Sequence, residues 1–365
     1  MPRSSLPSVP GILSTADVSA TVDAISAIQL PDGNIPWTPG AHSDPWNLVE
    51  AAMALDVGGR HHDAARAYEW LASMQRPDGA WHAYYLGREV EDPALDTNVT
   101  VYVATGTWHH YLSTGDTGFL EAQWPGVERA IDFALHHQRE TGELSWRGDD
   151  PADGALLTGS SSVHASLRAA IAIAERLGRE RPDWELSLGA LAVAIAHRPE
   201  VFLDKDRWAM DWYYPILGGV LRGDAAHARL AASWERFVAP GRGVRCVADR
   251  PWITAAETCE LVMALDALGL DGPARELFAA VQFLRDPDGG YWTGANFEGD
   301  DFAAEGEHFP LEQPTWNSAA VVLATNALGG DGPTAGLFRG AGLPVGLTAD
   351  ELIAAGEAIE AERTT

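Results

Sequence analysis

Two acids in the run TAAETCELVMAL (254–265), Glu257 and Glu260, stand at i and i+3 and so share one face of a segment that is otherwise apolar. An unpartnered carboxyl in such surroundings is costly to ionise and its pKa rises, which suits a general acid working near neutral pH. Pairing with Arg245, Arg250 or Arg168 is the structural alternative. A third acid, Asp44, joins the loop of HSDPWNLVEAAMAL (42–55) to a second apolar segment. It is a good helix N-cap, and Pro45 suits the first helical turn. Glu50 in that segment is the counterpart of Glu260, either reactive or a structural buried acid. Asp211, in AMDWYYPILGG (209–219), and Asp96, in DTN (96–98), are further candidates. Two carboxyls facing each other across a cleft are the usual apparatus of glycoside hydrolysis, and a gap of about 6.5–9.5 Å leaves room for the water of an inverting mechanism. Asp44 with Glu257 or Glu260 is the favoured pair.

Elements that would position these acids are legible as a repeat. Helical periodicity covers 15–29, 45–58, 60–76, 97–114, 116–138, 161–178, 182–197, 212–223, 224–238, 254–269, 272–285 and 315–328, and no segment reads as a strand. Every second segment, beginning with 45–58, is apolar nearly all round, as a helix buried on all sides must be. The others carry one charged face, as in HHDAARAYEWLASMQ and GPARELFAAVQFL. Six helical hairpins in an inner and an outer ring follow: an all-α (α/α)6 toroid over residues 1–340, with 341–365 a tail holding one further outer helix. Long loops precede each inner helix, so they gather on one rim, and the site is expected in the funnel at the inner helices' N-termini. QLPDGNIPW (29–37), QRPDGAW (75–81), the looser QRETGELSW (138–146) and RDPDGGYW (285–292) repeat one plan, a turn after an outer helix followed by an aromatic.

Aligned by register, the inner-helix starts offer Asp44, Trp46 and Asn47; Asp96 and Asn98; Ser160, Ser161, Ser162 and His164; Asp211, Trp212, Tyr213 and Tyr214; Trp252, Thr254 and Glu257; Trp316 and Asn317. An acid or hydroxyl at one such position is ordinarily a cap, and acids there also suit the helix dipole. Capping does not require indoles and amides beside it in turn after turn. A concave, aromatic-lined pocket with a few convergent polar groups is the form of a small-molecule site, and Trp, Tyr, Asp and Asn together are the chemistry of sugar binding.

Composition excludes several classes. With 52 acids against 25 bases the net charge is −27, which repels nucleic-acid backbones and anionic membranes. The N-terminal stretch lacks the apolar core of a signal peptide, and no window suits a transmembrane helix. Two cysteines, Cys246 and Cys259, imply no disulfide framework. A cytoplasmic enzyme acting on an oligosaccharide or polysaccharide is expected, with no cofactor, no metal, no nucleic acid and no membrane partner.

HSDPW (42–46), DTN with YVATGTWHH (96–98, 102–110), DWYYPILGG (211–219) and RPWITAAETCELVMALDALG (250–269) resemble an actinobacterial family, the methylmannose polysaccharide hydrolases. The likeness covers residues 10–340. It implies an (α/α)6-type fold, endo-acting, inverting hydrolysis of α-1,4-linked, partly methylated mannose chains, a cytoplasmic setting, and catalysis by Asp44 and a glutamate of ETCE. Trp46, Trp212, Tyr213, Tyr214, Trp252 and Trp316 are then expected to hold sugar rings, and Asn47, Asp96, Asn98, Asp211 and Asn317 their hydroxyls. The sequence departs from the family where Asn47 replaces an acid and Asp211 a glutamate. Asn47 cannot serve as a base. The helical repeats also resemble prenyltransferase β subunits and squalene–hopene cyclases. Glu257, Cys259 and His308 imitate the zinc ligands of the former, but 257 and 259 lie about 200° apart on a continuous helix. The cyclases' DxDD acid is absent. A glycan-binding module without catalysis is the third alternative.

Overall fold

The computed structural model describes residues 5–297, 306–346 and 353. Twelve α-helices dominate them: α1 Thr15–Ile28, α2 Pro45–Val57, α3 His61–Met74, α4 Thr97–Thr114, α5 Thr117–His136, α6 Leu157–Arg176, α7 Pro182–His197, α8 Ala209–Leu217, α9 Gly223–Phe237, α10 Ala255–Asp266, α11 Asp271–Ala280 and α12 Thr315–Gly329. The even-numbered helices are the apolar ones, and they pack on one another. Helix α2 lies against α4, α4 against α6, α6 against α8, α8 against α10, α10 against α12, and α12 against α2. The odd-numbered helices each pack outside an even one and bury a single stripe, such as Ala64, Ala67, Tyr68 and Leu71 of α3.

The repeated turns lock the outer layer together. In the first three copies the glutamine that ends an outer helix donates through Nε2 to its own turn and to the next outer helix. Gln29 reaches Asp63 O of α3 at 2.9 Å, Gln75 reaches Gly126 O of α5 at 2.8 Å, and Gln138 reaches Ser187 O of α7 at 2.9 Å. The glycine of each turn, Gly33, Gly79 or Gly142, has a positive φ and presses on the same neighbouring helix, where a Cβ would run into a backbone carbonyl. In the fourth copy Gly289 presses on Ala20 of α1, and Arg285 pairs with Asp17 of α1 at 3.1 Å, which ties the region after α11 back to the first helix.

Two expectations are corrected. Strands are present. Tyr84–Leu86 (β1) and Glu89–Asp92 (β2) form a hairpin, and Val238–Ala239 (β3), Gly243–Arg245 (β4), Trp252–Thr254 (β5), Gly294–Asn296 (β6) and Glu307–His308 (β7) form an antiparallel sheet in sequential order. They are two to four residues long, too short for an alternating pattern to register. The sheet stitches the long loops before α10 and α12 together, and β5 runs directly into α10. Helices α6 and α8 also begin earlier than expected. Ser160, Ser161 and Ser162 therefore lie inside α6, with Ser161 bonded back to Leu157 O at 2.7 Å, rather than at a cap. Helix α8 ends at Leu217 because Gly219 turns left-handed there.

Residues 333–344 pack on α4, α6, α10 and α12. Arg339 bonds Asp266 of α10 at 2.6 Å and Ala327 O of α12, and Arg168 of α6 donates to Pro344 O at 3.0 Å. The first residues of the segment expected as a tail, up to Pro344, thus touch α6. The helix expected over 347–362 lies outside the described residues, apart from Ile353. No helix among the described residues is long and apolar enough to cross a membrane.

Candidate active site

A cavity of about 540 Å³ opens at the N-terminal ends of α2, α4, α8, α10 and α12. Asp44, Asp96, Glu50, Glu257 and Glu260 all line it, with Trp37, Trp46, Trp146 and Trp316 among its walls. Helical register sets the depth. Glu50 lies one turn below Trp46 and Glu260 one turn below Glu257, so these two acids form the floor.

Four of the lining acids are held by neutral donors. Asp44 caps α2 through Asn47 N at 3.0 Å, and its other oxygen accepts from Trp37 Nε1 at 2.6 Å and Asn47 Nδ2 at 2.7 Å. Asp96 caps α4 through Val99 N at 2.9 Å and accepts from Trp146 Nε1 at 2.5 Å. Two of the repeated turns therefore end in an indole whose N–H clamps a capping aspartate. Glu50 accepts from Tyr102 Oη and from Trp46 Nε1 at 3.3 Å. Glu260 accepts from Tyr213 Oη on one oxygen and from Tyr214 Oη at 2.5 Å on the other.

Burial is the largest cause in the electrostatics, with His42 a minor countercharge to Asp44. It raises the carboxyls of Asp44, Glu50 and Asp96 above their ordinary values, against the pull of the hydrogen bonds. For Glu260, burial and then the nearby charge of Glu257 push the pKa up to about 8, while the tyrosine hydroxyls pull the other way. For Glu260 the arginine-paired alternative is not what the fold builds. Arg168 donates to Pro344 O, and the groups bonded to Glu260 are tyrosines. Cys246 faces Glu257, and burial together with that charge holds its thiol protonated.

Of the residues expected to bind sugar, Trp46, Asn47, Asp96 and Trp316 line the cavity. Tyr213 and Tyr214 stand behind Glu260 as its donors. The others are not among its lining residues, and Trp212, Asn317 and Trp252 use their polar groups elsewhere. Trp212 points at α9, donating to Arg229 O at 2.8 Å and stacking on Phe237. Asn317 is a brace: its Oδ1 accepts from Ala256 N at 3.0 Å, and its Nδ2 donates to Trp292 O at 2.8 Å. Trp252 donates to Phe309 O at 2.7 Å. Asn98 is buried beside the cap with its Oδ1 unpaired. Asp211 is not among the lining residues; burial raises its pKa to about 6, and Arg229 bonds its backbone carbonyl at 2.7 Å. Trp37, Trp146, Tyr84, Asp92, Arg147 and Met210, which line the cavity, are missed by the sequence reading. The repeat itself carried the signal for the two indoles, but it reads equally as a staple between layers.

Among the described residues no group of three or more His, Cys, Asp and Glu is arranged to hold a metal ion. Cys259 is fully buried inside α10, and His308 stacks on Trp292. The three groups that imitate zinc ligands in the sequence are thus turned to other uses.

No protein-family model matches the chain. It is 48% identical over 344 residues, 94% of each chain, to the MMP endo-(1,4)-3-O-methyl-alpha-D-mannosidase of Mycolicibacterium hassiacum. The chain belongs to this methylmannose polysaccharide hydrolase family. It is a glycoside hydrolase. Several solved structures of similar fold are named glycosidases. One, a glycosidase variant in complex with glucose, has a TM-score of 0.69 at 13% identity, covering 86% of this chain and 96% of its own. Another, the GH63 mannosylglycerate hydrolase of Thermus thermophilus in complex with glucose, has a TM-score of 0.63 at 13% identity, covering 83% and 98%. In this family member the cavity is lined by Asp44 of HSDPW and by Glu257 and Glu260 of ETCE.

Proposed function

We propose that this enzyme cleaves α-1,4-linked, partly O-methylated mannose chains internally and with inversion, in the cytoplasm of an actinobacterium. The fold is taken as an (α/α)6 toroid over residues 1–340, supported by the cycle of contacts that leads from α2 back to α2. The buried free thiols Cys246 and Cys259 support the cytoplasmic setting.

The observation that carries the mechanism is Glu260 on the cavity floor, held by two tyrosines, with a pKa near 8. Below that pH its carboxyl keeps a proton to give to the glycosidic oxygen. As the bond breaks, the carboxylate that forms is already met by Tyr213 and Tyr214 hydroxyls. The donors are in place before charge develops, so no reorganisation is needed in the step. Asp44, fixed by Trp37 and Asn47, takes the proton of the water that attacks the opposite face of the sugar. Asn47 substitutes for an acid by orienting one. Glu257 lies beside Glu260 and keeps it protonated by its charge. Trp46 and Trp316 stack against sugar faces, and Asp96 receives hydroxyls.

Incubation with methylated and unmethylated α-1,4-mannans, read by mass spectrometry and by the anomeric configuration of the first product, tests this. Internal fragments with inverted anomers are expected, and Glu260→Gln should bind chains without cutting them. Retained configuration, or full activity in Glu260→Gln, overturns the assignment.

A further inference from the structure

A second cavity, of about 820 Å³, lies beside the first and has no part in the chemistry above. Its walls are one side of α1, from Ala20 to Ile28, and the segments Thr38–Pro39, Asp288–Trp292 and Leu311–Thr315. The partition between the two cavities is a single layer. Thr315 N donates to Trp37 O at 2.8 Å and Thr315 Oγ1 to Pro36 O at 2.9 Å, while the rings of Trp37 and Trp316 meet edge-on at 5.6 Å. Neighbouring residues of each strip face opposite sides: Trp37 and Trp316 line the catalytic cavity, Thr38 and Thr315 the groove.

From this continuity we infer that the groove is a remote subsite holding the part of the glycan chain that has passed over the Trp37–Trp316 wall. The inference rests on the proposed function. The groove has the chemistry for this ligand. Trp292 offers an indole fixed by its stack on His308, with ring centroids 4.9 Å apart. Asp288 and Glu312 line the groove and bring carboxylate acceptors for hydroxyls, although Asp288 Oδ1 already accepts from Gly290 N at 3.0 Å. Leu311 is 78% exposed, an apolar side chain that water leaves bare and that an O-methyl ether would cover. A groove of this size lies within the range of small-molecule sites, about 300–1,000 Å³. Its ligand is an uncharged, partly methylated α-mannoside chain. An enzyme that cuts internally gains from such a hold, because the chain stays seated while the scissile bond is positioned.

The test compares a long methylated mannan with an oligosaccharide short enough to fill the catalytic cavity alone. Trp292→Ala and, as a surface change that does not threaten the fold, Leu311→Asp are assayed on both. KM for the long chain should rise about three- to tenfold in each variant, with kcat and short-substrate kinetics unchanged. An unchanged ratio of long to short KM in both variants overturns the groove. Titration of the uncut long chain into Glu260→Gln, with and without Leu311→Asp, separates the two readings. If the wild type cuts no mannan yet the groove substitution still weakens chain binding, the function is wrong and the groove stands.

Discussion

The two ends of α2 hold their acids in opposite ways. At the N-terminal end, Asp44 and Glu50 are buried among indole, amide and phenol donors, and their pKa values rise. At the C-terminal end, Asp56 is equally buried, but His110 Nδ1 lies 3.0 Å and His61 Nδ1 2.9 Å away, with His109 at 3.8 Å. Burial pushes Asp56 up too, yet the three histidines together hold it far below the usual carboxylate range. Asp266, at the same end of α10, is paired with Arg339. The far end of the molecule neutralises its acids with basic partners, as a structural site does. The cavity end withholds such partners and leaves protonatable carboxyls where they can react. A buried charge with neutral donors is costly, and the fold gathers that cost at the cavity, with Asp211 outside its lining as an exception.

The comparison breaks most sharply at Glu260. Glu260→Gln removes the proposed proton donor and should lower kcat by about 10²–10⁴-fold with little change in chain affinity or melting temperature, as read by steady-state kinetics and calorimetry. Asp56→Ala should do the reverse. Removing one partner of a buried charged network costs about 3–5 kcal/mol, so chemical denaturation should show a large loss while activity per folded molecule persists. The sign with pH follows from Asp56's depressed pKa. Its stabilisation is present above the unfolded-state value and is lost as pH falls through the folded one. The wild type should therefore lose stability on acidification more steeply than Asp56→Asn does. His61, raised by its hydrogen bond to Asp56, acts at the other side: its contribution is full below the ordinary histidine pKa and fades as pH rises past the raised value.

Much of this was legible in sequence. Helices buried on all sides differ in composition from helices with one wet face, and that contrast located all twelve. Asp44 and Asp96 announced themselves as caps because a cap needs only local spacing. Direction was not legible. Trp212 and Asn317 sit in first turns beside true cavity residues, but successive residues point about 100° apart, and the neighbours that claim these two, α9 and the turn before Trp292, come from elsewhere in the chain. The indoles of Trp37 and Trp146 were readable as staples, and both readings are physically sound until the acceptor of each N–H is known. The far-end network of Asp56, His61 and His110 was missed because it joins α2, the start of α3 and α4, with no motif in any one of them.

Tyr213→Phe and Tyr214→Phe test what the neutral donors contribute. Each hydroxyl stabilises the carboxylate form of Glu260, so its loss should raise the carboxyl's pKa further and move the alkaline limb of the pH–kcat profile upward. The anion formed on proton transfer loses a donor as well, at about 1.5–3 kcal/mol for a hydrogen bond to a charged group, so kcat should fall roughly 10–100-fold. A limb that moves downward would show that the tyrosines do not bind the ionised form.

Glu257→Gln sharpens the contrast from the opposite side and should have the smallest effect. Its charge is the second cause, after burial, of the high pKa of Glu260. Without it the neighbouring carboxyl ionises more easily, so the alkaline limb should move to lower pH, opposite to the tyrosine variants. Activity at the acid side of the optimum should stay near that of the wild type, because Glu260 is protonated there in both proteins. A uniform collapse of kcat at every pH would instead make Glu257 a reacting acid, and the division of labour on this helix face would have to be reversed. Measured together, the two opposite shifts also exclude a general loss of folding, which would lower both profiles without moving either limb.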